Sequence, residues 1–171
     1  VLPDKREVAR FLPPFDPGPV RFTASAPQSQ AVAVLGGSPY SYFRYETHLA
    51  AQAALEVYGE AADQYRQLFG RSMDVLDCYH CDDAEIVFYM IGSFATKARG
   101  AVDSLRNAGH KVGLLRPRLL RPFPGQELKN TLANKAAVIV VDQNLSVGSG
   151  GVLHTELAAS LYGHPAAPGV L

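Results

Sequence analysis

The chain has 171 residues, 47% of them hydrophobic and 19% charged, enough for one domain with a real core plus an extension. Its 16 basic and 16 acidic residues cancel, so charge gives no case for nucleic acid or an anionic membrane as a partner. No apolar run approaches the roughly 18 to 20 residues of a membrane span, and two cysteines make no disulfide framework, which leaves the cytoplasm as the default location.

Residues 1–45 read as a Pro-rich extended arm. Pro3, Pro13, Pro14, Pro17, Pro19, Pro27 and Pro39 oppose a long helix or a central strand. Residues 4–11 suit one short helix. Phe11, Leu12, Phe15 and Phe22 are too apolar for a free linker, so the arm is expected to be ordered against a neighbouring surface. A flexible tether is the other reading. The start carries neither Met nor the zones of a signal peptide, so a piece of a longer chain is expected.

Residues 46–171 read as an α/β domain. Residues 46–69 give the longest helical signal, with Leu49, Ala53, Val57, Ala61, Tyr65 and Leu68 recurring every three or four positions. This is a plain packing helix, closed by Gly70. Residues 73–79 predict a strand running antiparallel beside the next one, Ile86-Val87-Phe88-Tyr89-Met90-Ile91. A helix follows between Ser93 as cap and Gly109 as stop, with Phe94, Ala98, Ala101, Val102 and Leu105 on one face. The next strand is 111–115. A loop rich in Pro and Arg leads from 116 to 124 and into a short helix carrying Leu128 and Leu132. A third core strand, 136–141, is closed by Asp142. The glycine loop Gly148-Ser149-Gly150-Gly151 then opens a helix with Leu153, Leu157, Ala158 and Leu161 on one stripe. Pro168-Gly169-Val170-Leu171 looks like the entry to another strand, and the domain is expected to continue past it. Strands that are apolar throughout and alternate with helices imply a three-layer α/β fold. Its sheet is mostly parallel and has helices on both faces.

Four features invite a chemical reading. Cys78 and Cys81 have the C-x-x-C spacing of a redox pair or half a zinc site. There is no second cysteine pair, and the motif precedes an Asp-Asp turn rather than a helix, so the thiols read as incidental. Gly148, Gly150 and Gly151 stand at a helix start, where backbone amides favour an anion. The sequence there is neither G-x-G-x-x-G nor a phosphate loop, and a tight turn packed against a neighbouring subunit is the alternative. Arg116, Arg118 and Arg121 follow a parallel strand at its carboxyl end, the edge where open sheets bind ligands. Guanidinium forks suit phosphate, and salt bridges to a partner subunit are the other use. His48, His80, His110, His154 and His164 are scattered, and no nucleophile, base and orienter are readable together. No catalytic residue and no metal ligand is therefore expected here. The binding or interface candidates are Arg116, Arg118, Arg121, Asp142, Gly148, Gly150 and Gly151.

The segments Leu2-Pro-Asp-Lys, Phe11-Leu-Pro-Pro-Phe-Asp-Pro17, Tyr42-Phe-Arg-Tyr-Glu-Thr-His48 and Phe69-Gly-Arg-Ser72 stand in one order with those downstream. The latter are Asp83-Ala-Glu, Ile91-Gly-Ser93, Lys111-Val-Gly-Leu-Leu-Arg-Pro-Arg-Leu-Leu-Arg-Pro-Phe-Pro124 and the stretch from Val141-Asp142 to Gly151. Together they resemble the α subunit of 2-oxoacid:ferredoxin oxidoreductases, most closely the pyruvate type. The resemblance implies a transketolase C-terminal-like domain. It implies a complex that uses thiamine diphosphate, Mg²⁺ and iron–sulfur clusters, and that serves ferredoxin and coenzyme A. The sequence has no Gly-Asp-Gly metal signature and too few cysteines for a cluster. The implied role is therefore a non-catalytic assembly domain, with the cofactors and other subunits elsewhere. The competing reading is a free-standing α/β module that binds a nucleotide or phosphate on the loop from Gly148 to Gly151.

Overall fold

The computed structural model describes residues 3–19, 21, 23–28 and 37–171. Phe22 and Leu2, both used above, lie outside the described residues. The chain separates into two compact units, Val1–Ser72 and Met73–Leu171. The sequence boundary at 45 falls inside a helix of the first.

In the first unit, α1 is Lys5–Phe11 and α2 is Gly37–Phe69. Asp4 caps α1: its carboxylate accepts the Arg6 and Glu7 amides, and Glu7 reaches back to the Asp4 amide. Phe11 then sets its ring edge-on against Tyr65 and Phe69 of α2, at 5.7 and 5.9 Å between centroids. So one of the apolar arm residues is covered, whereas Phe15 is exposed. Helix α2 starts nine residues before the expected Glu46. Pro39 does not prevent this, because in the first turn its missing N–H has no intrahelical partner to lose. The less exposed stripe is Leu55, Tyr58, Ala62, Tyr65 and Phe69, offset from the expected one. Tyr40, Tyr42, Phe43 and Tyr45 at the helix start are exposed.

The second unit is the three-layer α/β domain. Its elements are β1 (Leu76–Tyr79), β2 (Ile86–Met90), α3 (Phe94–Asn107), β3 (Val112–Pro117), α4 (Gly125–Leu132) and β4 (Ala137–Val141). After these come β5 (Leu145–Ser146), β6 (Gly150–Gly151), α5 (Val152–Leu161) and β7 (Gly169–Val170). The main sheet has the order β1-β3-β2-β4-β7. Strands β3, β2, β4 and β7 are parallel, and β7 is the strand expected at Gly169. Strand β1 is antiparallel as expected, but its partner is β3, with Asp77 opposite Arg116, and not β2. Gly113 makes room for the turn after β1: a Cβ there would meet the His80 carbonyl oxygen at 2.7 Å.

Alternate strand residues serve two cores. Val87, Tyr89, Leu115 and Val138 pack with Leu128 and Leu132 of α4 and Leu153, Leu157 and Leu161 of α5. Met90, Val112 and Leu114 pack with Ala95 and Val102 of α3. The inner face of α3 is thus Ala95, Ala98, Val102 and Leu105. Ala101, expected there, is exposed, and Phe94 is half exposed. Ala95 takes the buried place that the expected stripe gave to Ala101, while Ala98, Val102 and Leu105 lie where expected.

Candidate functional site

Strand β2 lies between β3 and β4, so the chain leaves it to one side and returns on the other. The carboxyl ends of β2 and β4 flank that switch point, where open α/β sheets bind ligands. A cleft of about 160 Å³ opens there, lined by Met90, Ile91, Phe94, Val141, Asp142, Gln143 and Asn144. Asp142 is the only one of these seven with an ionisable side chain.

That carboxylate is occupied. Its Oδ1 accepts the Asn144 amide at 2.8 Å, and its Oδ2 accepts the Leu153 amide at 2.8 Å. Leu153 is in the first turn of α5, whose cap residue, Gly151, has no side chain to offer. Asp142 therefore supplies the cap from eleven residues away, and its charge meets the positive end of the helix dipole. The glycine leaves room for the carboxylate: a Cβ on Gly151 would sit 3.3 Å from the Asp142 Oδ2, a tight contact. The intervening chain folds into the β5–β6 hairpin, with Gly148 at φ 82° and Gly150 at φ 92°, backbone that side chains rarely adopt. The anion drawn to the start of α5 is thus the protein's own. At the hairpin, Leu145 and Val147 are 75% and 95% exposed.

The three arginines part company. Arg116 lies within β3 rather than in the loop after it, and its guanidinium pairs with Asp77. Arg118 reaches the same Asp77 Oδ2 at 3.4 Å. Arg121 goes to the other face and makes a two-pronged pair with Glu156 of α5, which raises its pKa above the ordinary arginine value. Their partners are therefore carboxylates of the same unit. Asp77 and Glu156 were not singled out from sequence. The signal for Asp77 is the β1–β3 register, which the sequence does not encode locally.

Two further buried groups lie outside the lining of this cleft. Tyr89 is fully buried, and its hydroxyl has no hydrogen-bond partner among the described residues. Burial pushes its pKa up, and the charges of Glu156 and Asp142 push it further. Cys81 is buried and its thiol donates to the Leu114 carbonyl at 3.3 Å, while Cys78 is exposed. No group of three or more His, Cys, Asp or Glu side chains is placed to hold a metal ion among the described residues.

Residues 84–170 match the family described as pyruvate:ferredoxin oxidoreductase core domain II. The chain is 34% identical over 160 residues to pyruvate synthase subunit PorA of Methanothermobacter thermautotrophicus, covering 94% of this chain and 41% of that protein. It is 35% identical over 166 residues to PorA of Methanosarcina barkeri, covering 95% and 40%. Ketoisovalerate oxidoreductase subunit VorA of Pyrococcus abyssi aligns at 34% over 163 residues, covering 94% and 41%. The chain spans about two-fifths of the length of these relatives.

Proposed function

This chain belongs to the pyruvate:ferredoxin oxidoreductase family, in the part termed core domain II, and from that premise we propose that it is a non-catalytic assembly domain of a cytoplasmic, thiamine-diphosphate-dependent 2-oxoacid:ferredoxin oxidoreductase. The reaction of the whole complex is then the oxidation of a 2-oxoacid such as pyruvate with coenzyme A. Its products are acetyl-CoA, carbon dioxide and reduced ferredoxin.

One observation carries this reading: the carboxyl edge has its charges paired and its apolar groups uncovered. Asp142 caps α5 and Arg121 is held by Glu156. Phe94, Val141, Leu145 and Val147 around them stay exposed. An edge that performed chemistry would present an unengaged acid, base or nucleophile. This one presents contact surface of the kind that marks an interaction site. The occupant we assign to it is the remaining polypeptide of the same oxidoreductase, about three-fifths of the length of the relatives. The family's cofactors do not fit these residues. An iron–sulfur cluster takes about four thiolates, and the chain has two cysteines, one tied to Leu114. The amide at the start of α5 that would greet a diphosphate already holds Asp142. Relatives named for pyruvate and for ketoisovalerate align equally well, at 34% identity, as expected of a domain that does not read the substrate.

Calorimetric titration of the chain with thiamine diphosphate and Mg²⁺ tests the non-catalytic assignment. No saturable heat is expected. Micromolar binding to this chain alone would overturn it.

A further inference from the structure

Both cysteines are held against successive residues of β3. Strand β1 pairs antiparallel with β3 so that Cys78 stands opposite Leu115. Directly opposed residues carry their side chains on the same face of a sheet, here the face on which Leu115 packs with α4 and α5. Two residues on, His80 turns the chain at φ 53°, backbone that a histidine rarely adopts. The turn folds Cys81 back along β1. Its thiol donates to the Leu114 carbonyl at 3.3 Å and lies 3.8 Å from the Tyr79 carbonyl oxygen. The turn is fixed from outside by Lys135, whose ammonium donates to the Cys81 and Asp82 carbonyls at 2.6 and 3.1 Å. On spacing alone the thiols read as incidental, because the C-x-x-C motif does not open a helix. The turn at His80 brings them together by another route.

The two thiols hydrogen-bond to each other, which is the chief reason that Cys81 lies below the ordinary thiol pKa and Cys78 above it. The pair therefore parts with one proton readily and holds the second, and the charge that remains is shared between the sulfurs. Exposure divides them. Cys78 is exposed, whereas Cys81 is 5% exposed and sits in the core cluster. One sulfur is open to a reagent and the other is sheltered beside it, the arrangement of an oxidisable thiol with a resolving partner.

From this juxtaposition we infer that Cys78 and Cys81 form a reversible thiol–disulfide site, oxidised by hydrogen peroxide. The peroxide O–O bond breaks as one oxygen passes to the Cys78 sulfur, giving a sulfenic acid and the first water. The Cys81 sulfur then attacks that sulfur, the S–S bond forms, and the oxygen leaves as the second water. In sum the two thiols lose two electrons and two protons, and the peroxide is reduced to two waters. A small dithiol reverses the change by exchange. The pair lies toward the amino end of β3, away from the Asp142 end of the sheet, so the site goes beyond the assembly role proposed above.

The test uses the full chain, reduced beforehand, treated with hydrogen peroxide, alkylated in guanidinium and weighed by intact and peptide mass spectrometry. The inference predicts one disulfide within the chain, joining Cys78 to Cys81, with both alkyl adducts lost, circular dichroism unchanged and the thiols restored by dithiothreitol. The disulfide should form at least about tenfold faster in the folded chain than in the chain unfolded in guanidinium, as for groups already in position. Cys81→Ser should instead accumulate the Cys78 sulfenic acid, trapped by dimedone. If that variant does not fold, the comparison of rates in the parent chain decides alone. Both thiols still alkylated after peroxide, a folded rate no faster than the unfolded one, or Cys78 oxidised past the sulfenic acid while Cys81 stays alkylated would each overturn it.

Discussion

Replacing Asp142 by Ala removes two hydrogen bonds of 2.8 Å, one to the Asn144 amide in the loop and one to the partly buried Leu153 amide. Loss of a helix cap costs about 0.5–2 kcal/mol, and loss of the second bond adds about 0.5–1.5 kcal/mol. The expected destabilisation is therefore about 1–3.5 kcal/mol. The α/β unit is Met73–Leu171, a size at which 1 kcal/mol moves Tm by about 4–8 °C. Asn at this position keeps one carbonyl acceptor where Asp has two, so Asp142→Asn should fall between Ala and the parent. A thermal melt followed by circular dichroism at neutral pH reads all three. Formate added to the Ala variant should restore part of the loss by filling the vacated place with another carboxylate. If Asp142→Ala melts with the parent, the carboxylate is not the cap of α5, and the argument that the amide is already satisfied fails.

Tyr89→Phe deletes a buried hydroxyl that has no partner among the described residues. It should leave stability unchanged or raise it by up to about 2 kcal/mol, read by urea unfolding. Because the folded pKa of Tyr89 is raised, its contribution is present below the ordinary tyrosine value near 10 and is lost as pH rises through the folded value. The Phe variant should therefore be less sensitive to alkali. Gly113→Ala drives a Cβ to within 2.7 Å of the His80 carbonyl oxygen, a backbone atom that cannot swing aside. A loss of about 1–3 kcal/mol in the same assay is expected. The Arg106 guanidinium, 2.6 Å from Asp83, lowers the carboxyl pKa. That contribution is present above the ordinary aspartate value near 3.9 and is lost as pH falls through the lower folded value. Asp83→Asn should flatten the acid limb of a melting-temperature profile between about pH 5 and pH 2.

The alternation of strands and helices was legible because the apolar runs are separated by glycine, proline or charged residues such as Gly92, Gly109 and Asp142, and Leu128, Leu132, Leu153 and Leu157 fell where their spacing put them. The entry to β7 was legible because α5 must return the chain to the sheet. The partner of β1 was not. An antiparallel edge strand can pair with any strand whose edge is open, and β3, not β2, presents it. The same gap hid the site. In sequence, Arg116, Arg118 and Arg121 look like one cluster. In the fold, β3 directs Arg116 toward α3, and the chain beyond it carries Arg121 to α5, so their partners Asp77 and Glu156 are 39 and 35 residues away along the chain. Gly151 does stand at the start of α5, whereas Gly148 and Gly150 belong to the β5–β6 hairpin, which the sequence reading did not expect. That a neighbouring aspartate fills the anion position is a matter of side-chain geometry, which spacing alone does not reveal.

The central claim is that the carboxyl edge is a contact surface of a larger oxidoreductase. Val147→Asp tests it most directly, since the side chain is 95% exposed. The chain is co-expressed with the remaining polypeptides of its oxidoreductase, and the complex is sized by chromatography with light scattering beside a thermal melt of the chain alone. The account predicts an unchanged melt, as for most surface substitutions, together with loss or marked weakening of the assembled species. Full assembly at an unchanged melting temperature would contradict it.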